Sequence, residues 1–432
     1  MPPGDVRGFD VRSGQLRWLF ESIPQGRNIG VETWEKDSWV HTGDTNVWSL
    51  MSCDEKLGYV YLPFGTATND YYGGRRPGHN LFAESLVAIN ATTGQRVWHF
   101  QAVHHGLWDY DLPAAPNLVD ITVNGRRIKA VAQVSKQALV YVFDRVTGEP
   151  VWPIEERPVP QSTVAGEKTS DTQPFPTRPG PFDRQGLTRD DLIDFTPELR
   201  KAALQILENY TYGPLFTPPS VNGTITLPGV VGGASWAGAA VDPAKGVLYV
   251  PSISRPAILK VRKSACAHPA YAHTGLLQFG PDGPQGLPLV KPPYGRVTAI
   301  DLNTGEHLWM RPAGDGPRNH PALRHLDLPP LGWPYRSFVL LSKSLLFVAQ
   351  EGPVSGLHGV SPRGNAIELE TKVHDPALLA LDPNDGHRIA KIPLPGNATG
   401  TPLTFTARGK QYIVVPIGGA SQPAELVALS LR

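Results

Sequence analysis

Two aspartates, two histidines, a tryptophan and a tyrosine fall within the eleven residues Val103 to Pro113, VHHGLWDYDLP. Asp109 stands between Trp108 and Tyr110. Aromatic neighbours strip water from a carboxylate and raise its proton affinity toward that of a useful general base, and the same oxygens suit a hard cation. Asp111, His104 and His105 read as hydrogen-bonded scaffolding, and a lone aspartate between aromatics often serves that way too. The segment alone leaves chemistry and structure both open. Lys136 lies in QVSKQALVYVFD, a run that reads as an interior strand, where an ammonium is costly unless it is paired.

The elements that carry these residues follow from composition. With 44 glycines and 44 prolines in 432 residues, and aromatic and β-branched residues in short runs between them, the chain has the make-up of an all-β protein with many turns. Its 40 basic and 39 acidic residues are not segregated, which gives no electrostatic reason to expect nucleic acid or an acidic membrane surface as partner. A small-molecule substrate stays open. Cys53 and Cys266 are the only cysteines, too few for a four-thiolate zinc site or a disulfide scaffold, and their pairing is unreadable. No run approaches the roughly 18 apolar residues of a membrane span, and MPPGDVRGFDVRSGQ lacks the apolar segment of a secretory signal. Taken at face value, that describes a soluble cytoplasmic chain.

One eleven-residue pattern occurs five times: GFDVRSGQLRW from Gly8, AINATTGQRVW from Ala88, VFDRVTGEPVW from Val142, AIDLNTGEHLW from Ala299 and ALDPNDGHRIA from Ala380. Each reads as a strand, an Asx that can bond the backbone two residues on, a glycine that supplies φ > 0, and a second strand. Four copies end in a tryptophan large enough to fasten one sheet to the next. The spacing suits four-stranded propeller blades with loops of unequal length. Residues 153–225 read as a long insertion, irregular in its Pro/Gly/Ser-rich first half. It then carries one short helix with Thr196 as N-cap, Pro197 in the first turn and Leu199, Ala203, Ile206 and Leu207 on one face.

The repeat resembles the tryptophan-docking motif of the PQQ-dependent (quinoprotein) dehydrogenases. Around it, NVWSLMSCDEKLGYVYLPFGTATNDYYGG, SLVAINATTGQRVWHFQAVHHGLWDYDLPAAPNLVDI and RGKQYIVVPIGGA are similar in order and spacing to the membrane-bound glucose dehydrogenase-like branch, which includes quinate and other polyol dehydrogenases. The likeness runs from about Gly8 to the C-terminus, strongest between Asn46 and Asp144. It implies a quinoprotein-type β-propeller, eight-bladed in the family, of which the motifs here account for about five to six blades. It also implies pyrroloquinoline quinone (PQQ) with Ca2+ or Mg2+ as cofactors, a sugar or polyol substrate and a quinone electron acceptor. Asp109 matches the family's catalytic aspartate and a metal ligand, Lys136 the cation that contacts a PQQ oxygen, and Trp48 the floor on which the ring stacks. Trp236 falls near the cofactor edge, and Thr68 and Asn69 fall where the family supplies a metal ligand. The two cysteines are not adjacent and no haem domain follows, as in the glucose dehydrogenase-like branch.

Read with the resemblance, the chain is expected to be the C-terminal part of a periplasmic enzyme held at the inner membrane by an upstream segment. Its propeller would be incomplete at the N-terminus. The competing expectations are an inactive fragment of such a dehydrogenase and a non-enzymatic propeller scaffold that uses the same repeat.

Overall fold

The computed structural model describes residues 2–264, 273–352, 376–419 and 422–430; Cys266, and with it the question of pairing to Cys53, lies outside them. The chain opens on a two-stranded pair, β1 (Val6–Phe9) and β2 (Leu16–Phe20), that carries the first motif. A four-stranded antiparallel sheet follows in simple order: β3 (Ser52–Asp54), β4 (Tyr59–Pro63), β5 (Ser85–Asn90) and β6 (Arg96–Gln101). Next come three strands, β7 (Asn117–Val123), β8 (Arg126–Val134) and β9 (Val140–Asp144). The fourth strand expected there shrinks to a single bridge between Phe143 and Pro150. Pro150 has no N–H to extend a ladder, so the motif keeps its turn and loses its outer strand.

The insertion holds more order than its composition suggests. The stretch read as irregular forms a hairpin, β10 (Ile154–Pro158) with β11 (Thr172–Pro176), in which prolines on the two strands are tolerated because the pair has two free edges. A helix follows, α1 (Pro197–Leu207), where the Thr196 hydroxyl caps Leu199 N–H at 3.3 Å. Its buried face, Leu199, Ala203 and Leu207, packs on Leu187, Ile193, Leu289 and Leu323, so later Pro-rich loops share its core.

Beyond the helix lie β12 (Thr224–Thr226), β13 (Ala240–Asp242), β14 (Val247–Ile253), β15 (Ala257–Lys263), β16 (His273–Phe279), β17 (Gly295–Asp301) and β18 (Glu306–Pro312). They sort into a four-stranded sheet, β13-β14-β17-β18, and a separate three-stranded sheet, β12-β15-β16. Another four-stranded sheet is built from β19 (Ser337–Leu341), β20 (Leu346–Gln350), β21 (Ala377–Leu381) and β22 (Arg388–Pro393). The chain ends on β23 (Leu403–Ala407), β24 (Lys410–Gly419) and β25 (Gln422–Ser430). Four blade-type sheets flanked by two partial ones match the expected all-β quinoprotein-type propeller of about five to six blades.

The cores lie between consecutive sheets. Tyr61, Leu86 and Ala88 of the first full blade meet Val131, Tyr141 and Phe143 of the next. Val140 and Val142 then meet Leu248, Val250 and Ile300, and Tyr249, Val297 and Ala299 meet Val339, Val348 and Leu379. Sheets between two neighbours are covered on both faces, and their central strands are apolar without alternation; β14 is buried along its whole length.

The motif explains how neighbours are locked. In all five copies the Asx carboxyl or amide oxygen accepts the N–H two residues on, at 2.7–3.1 Å, and the glycine has φ between 70° and 81°. The closing tryptophan then grips the following motif. Trp18 Nε1 donates to Ala91 O, Trp98 Nε1 to Arg145 O and Trp309 Nε1 to Pro383 O, at 2.9–3.1 Å. Each indole covers the glycine of the turn it grips: a Cβ on Gly94, Gly148 or Gly386 would come within 2.8 Å of it. Trp152 reaches Gly305 in the same sense, without a hydrogen bond among the described contacts. Trp98→Ala removes a buried indole and its hydrogen bond at one seam. It is expected to destabilise the chain by roughly 3–5 kcal/mol, read from the shift in urea midpoint.

Candidate functional site

The segment that follows β6 is held by its aromatic residues. Trp108 and Tyr110 stack with centroids 6.2 Å apart, both meet Phe216 edge-on, and their polar ends donate to Thr217 O at 2.8 Å and Pro228 O at 2.7 Å. Ala257 and Leu259 of β15 pack on this cluster, while Ile258, facing the other way, joins the core around α1. The insertion therefore braces the segment from behind. With residues 108 and 110 turned into that core, Asp109 and Asp111 face away from it and converge on Lys136.

Lys136 Nζ donates to Asp109 Oδ1 at 2.9 Å and to Asp111 Oδ2 at 2.6 Å. Lys136 and Asp111 leave 7% of their side chains exposed and Asp109 23%, so Asp109 is the carboxylate that solutes can reach. Its backbone is left-handed, φ 56°, a conformation Asp tolerates better than most residues. Burial pushes the Asp109 carboxyl well above the ordinary range against the opposing pull of Lys136, and Asp111 adds to the rise. Asp111 goes the other way. Burial would raise it, but the ammonium, the Asp109 contact and the Thr66 N–H at 2.7 Å hold it low. Burial works against the ammonium itself, and the two carboxylates more than reverse this and fix its charge. Tyr71 Oη lies 3.5 Å from Asp109 Oδ2 and stays protonated, through burial first and the nearby carboxylate second.

Trp48 flanks this array. Lys136 Nζ is 5.7 Å from its ring centre, and 45% of the residue is exposed. Gly65 lies against both groups: a Cβ there would meet Asp111 Oδ1 at 2.9 Å and Trp48 Cδ1 at 3.2 Å. Trp236 stands on a neighbouring loop that begins at the Gly232–Gly233 pair clasping Lys136, where Gly233 N–H donates to Lys136 O at 2.8 Å. Its ring packs on Phe338 and under the Arg336 guanidinium. Thr68 donates to Gly43 O at 3.3 Å, and the Asn69 carbonyl accepts from Arg76 at 2.8 Å. Both line a cleft with His41, Thr42, Tyr72 and Arg76. Asp109, Lys136 and Trp48 are thus brought together, while none of the described side-chain contacts joins Thr68, Asn69 or Trp236 to that array. The histidines are structural: His105 bridges Gly78 O and the buried Glu167, and His104 bonds Gln101 and Glu156.

Two partners of the array do not stand out in the sequence, Thr66 and Glu84. Asp111, read from the sequence as structural scaffolding, is the anion that anchors Lys136. Crowding of Asp44, Asp70, Asp109 and Asp111 also shows in their neighbours: Asp70 is pushed up to about 6, by burial first and Asp111 second, and Asp44 is raised for the same reasons.

The family model of the PQQ glucose/ethanol/alcohol dehydrogenase β-propeller domain matches residues 1–413. The chain belongs to this family. It is 32% identical over 445 residues to the quinoprotein glucose dehydrogenase of Escherichia coli (strain K12), covering 96% of this chain and 52% of that protein. It is 29% identical over 449 residues to the quinate/shikimate dehydrogenase (quinone) of Acinetobacter baylyi, covering 98% and 52%. Among solved structures, the quinohemoprotein alcohol dehydrogenase from Comamonas testosteroni superposes with a TM-score of 0.65 at 17% identity, over 99% of this chain and 56% of that one, which is likeness of fold. The chain spans about half the length of the curated relatives it matches.

The residues present fit the family's cofactor. PQQ is a flat, multiply anionic quinone, and Trp48 offers a half-exposed aromatic ring with the Lys136 ammonium 5.7 Å from its centre. The oxygens of Asp109 and the crowded carboxylates around it suit a hard divalent cation.

Proposed function

We propose that the chain carries the base and the cofactor platform of a PQQ-dependent dehydrogenase that oxidises a sugar or polyol hydroxyl, with a quinone as final electron acceptor. The observation that carries this reading is the meeting of Asp109, Lys136 and Trp48 in one array. Glucose, quinate/shikimate and glycerol dehydrogenases among the relatives support the substrate class. PQQ, when bound, supplies the acceptor for the hydride and its electron pair, and Ca2+ or Mg2+ polarises the accepting carbonyl.

Asp109 takes the hydroxyl proton as the C–H bond gives up its hydride. Burial makes its carboxylate basic, Lys136 on Oδ1 offsets part of that rise, and Oδ2 is left toward Tyr71 and the substrate. Trp48 and Lys136 are assigned to the ring and one of its oxygens, and Trp236 to its edge. Asp109, Thr68 and Asn69 are the assigned cation ligands. Among the described residues no helix is long and apolar enough to cross a membrane. We place the chain in the periplasm, attached to the inner membrane through a further segment of the protein.

The test adds PQQ and Ca2+ or Mg2+ to the purified chain, measures PQQ binding by quenching of tryptophan fluorescence, and follows dye reduction with glucose, quinate and glycerol. Saturable quenching with reduction of at least one substrate is expected. Absence of both, in this chain and in one extended upstream, would falsify the reading.

A further inference from the structure

Among the described residues, Glu84 is the fully buried carboxyl beside the array that the chemistry above does not use. It ends the turn before β5, and it reaches the array through Thr66. The Thr66 hydroxyl lies 3.1 Å from Glu84 Oε1 and 3.0 Å from Asp111 Oδ1. A hydroxyl has a single hydrogen, so it can donate to only one of two carboxyl groups at these distances. The other contact must be made by a proton on the carboxyl itself, since two bare acceptors would repel there.

Asp111 is already satisfied as an anion by Lys136 and by the Thr66 N–H. Glu84 is not. The charged groups that face it are Asp111, which disfavours its ionisation, and Arg76, which favours it; the terminal nitrogens of Arg76 donate to Asn80, Asn69 O and Gly106 O. Burial, with Asp111 second, pushes Glu84 up to about 8. Gly106 leaves it room: a Cβ there would overlap Glu84 Oε2.

We infer that Glu84 is a positioning residue: as a neutral acid it donates to Thr66, Thr66 donates to Asp111, and the ionised Asp111 holds Lys136 beside Asp109. The chain of donors runs in one direction and ends on the Asp111 carboxylate that holds Lys136. Ionised Glu84 would leave two carboxylates competing for one hydrogen and would loosen the anchor of Lys136. The role of Asp109 as base rests on the function proposed above; the protonation of Glu84 does not.

The two are therefore tested separately. Infrared difference spectra of the chain and of Glu84→Gln at pH 7 are expected to contain the carbonyl band of a protonated carboxylic acid that only the unsubstituted chain shows. The band should fade as pH rises through about 8. Stability should follow the same group. Its folded value is raised, so its contribution is full below its ordinary value near 4.5 and is lost as pH rises through about 8; Glu84→Gln flattens that part of the Tm profile. In the PQQ-loaded chain, Glu84→Gln, whose amide can still donate to Thr66, should keep kcat near that of the unsubstituted chain and lose its alkaline decline. Glu84→Leu, which cannot donate, should lower kcat roughly 10–100-fold with little change in KM. No protonated-acid band at pH 7, or Gln as impaired as Leu, overturns the inference. If Leu does not fold, the infrared and Gln results still decide. An intact band in a chain whose Asp109→Asn variant is fully active would sink the assignment of the base and leave Glu84 protonated as inferred.

Discussion

Asparagine in place of Asp109 is expected to lower kcat for dye reduction by roughly two to four orders of magnitude while PQQ still binds. The change is isosteric and removes the carboxylate's charge, and with it the ability to accept a proton. Lys136 keeps its contact with Asp111 at 2.6 Å, and Trp108 and Tyr110 keep their hydrogen bonds to Thr217 and Pro228, so the segment should hold its shape. Fluorescence titration with PQQ separates binding from turnover, and unchanged unfolding rules out a trivial loss. Activity within about tenfold of the parent would place the base elsewhere. Tyr71, 3.5 Å away, would be next to examine.

The second large effect belongs to Lys136. Lys136→Met keeps the length of the side chain and deletes its charge, leaving Asp109 and Asp111 with no cation between them. Breaking a buried pair by removing one partner typically costs about 3–5 kcal/mol, because the surviving charge is stranded. Here two charges are stranded, with side chains 7% and 23% exposed, so the upper part of that range is expected in urea unfolding at neutral pH. PQQ quenching should weaken in the same variant. Adding Asp111→Asn should return part of the stability but not the cofactor affinity. Near-parent stability for Lys136→Met alone would mean that the ion pairs contribute little.

Legibility in the sequence followed the range of the interactions. The repeats were readable because Asx, Gly and Trp act within one hairpin or across one seam. Asp10, Asn90, Asp144, Asp301 and Asp382 each close their turn locally, and no knowledge of the whole chain is needed. The β10–β11 hairpin was missed because Pro158, Pro174 and Pro176 argue against a strand, and only the free edges of a two-stranded pair admit them. At the site, Asp109, Lys136 and Trp48 were reached through a resemblance, and the structure adds that Lys136 bonds Asp109 and lies 5.7 Å from the Trp48 ring centre. Glu84 and Thr66 were out of reach. In FAES and GTAT they look like ordinary polar turn residues, and what sets them apart is the burial created by segments 18 and 45 residues distant.

The docking tryptophans give the molecule a direction. Each motif fastens the one after it, and the series stops at the fifth, where Ala390 stands in place of the indole. Stability in such a stack is a sum over adjacent boundaries, much as in a row of tiles that each overlap the next. Damage at one boundary should therefore stay near it. A weakened seam at Trp98 should speed amide exchange in β5 to β9 and spare β19 to β22, so a lesion there would leave the downstream sheets folded while parting the blade that bears Lys136 from the one before it.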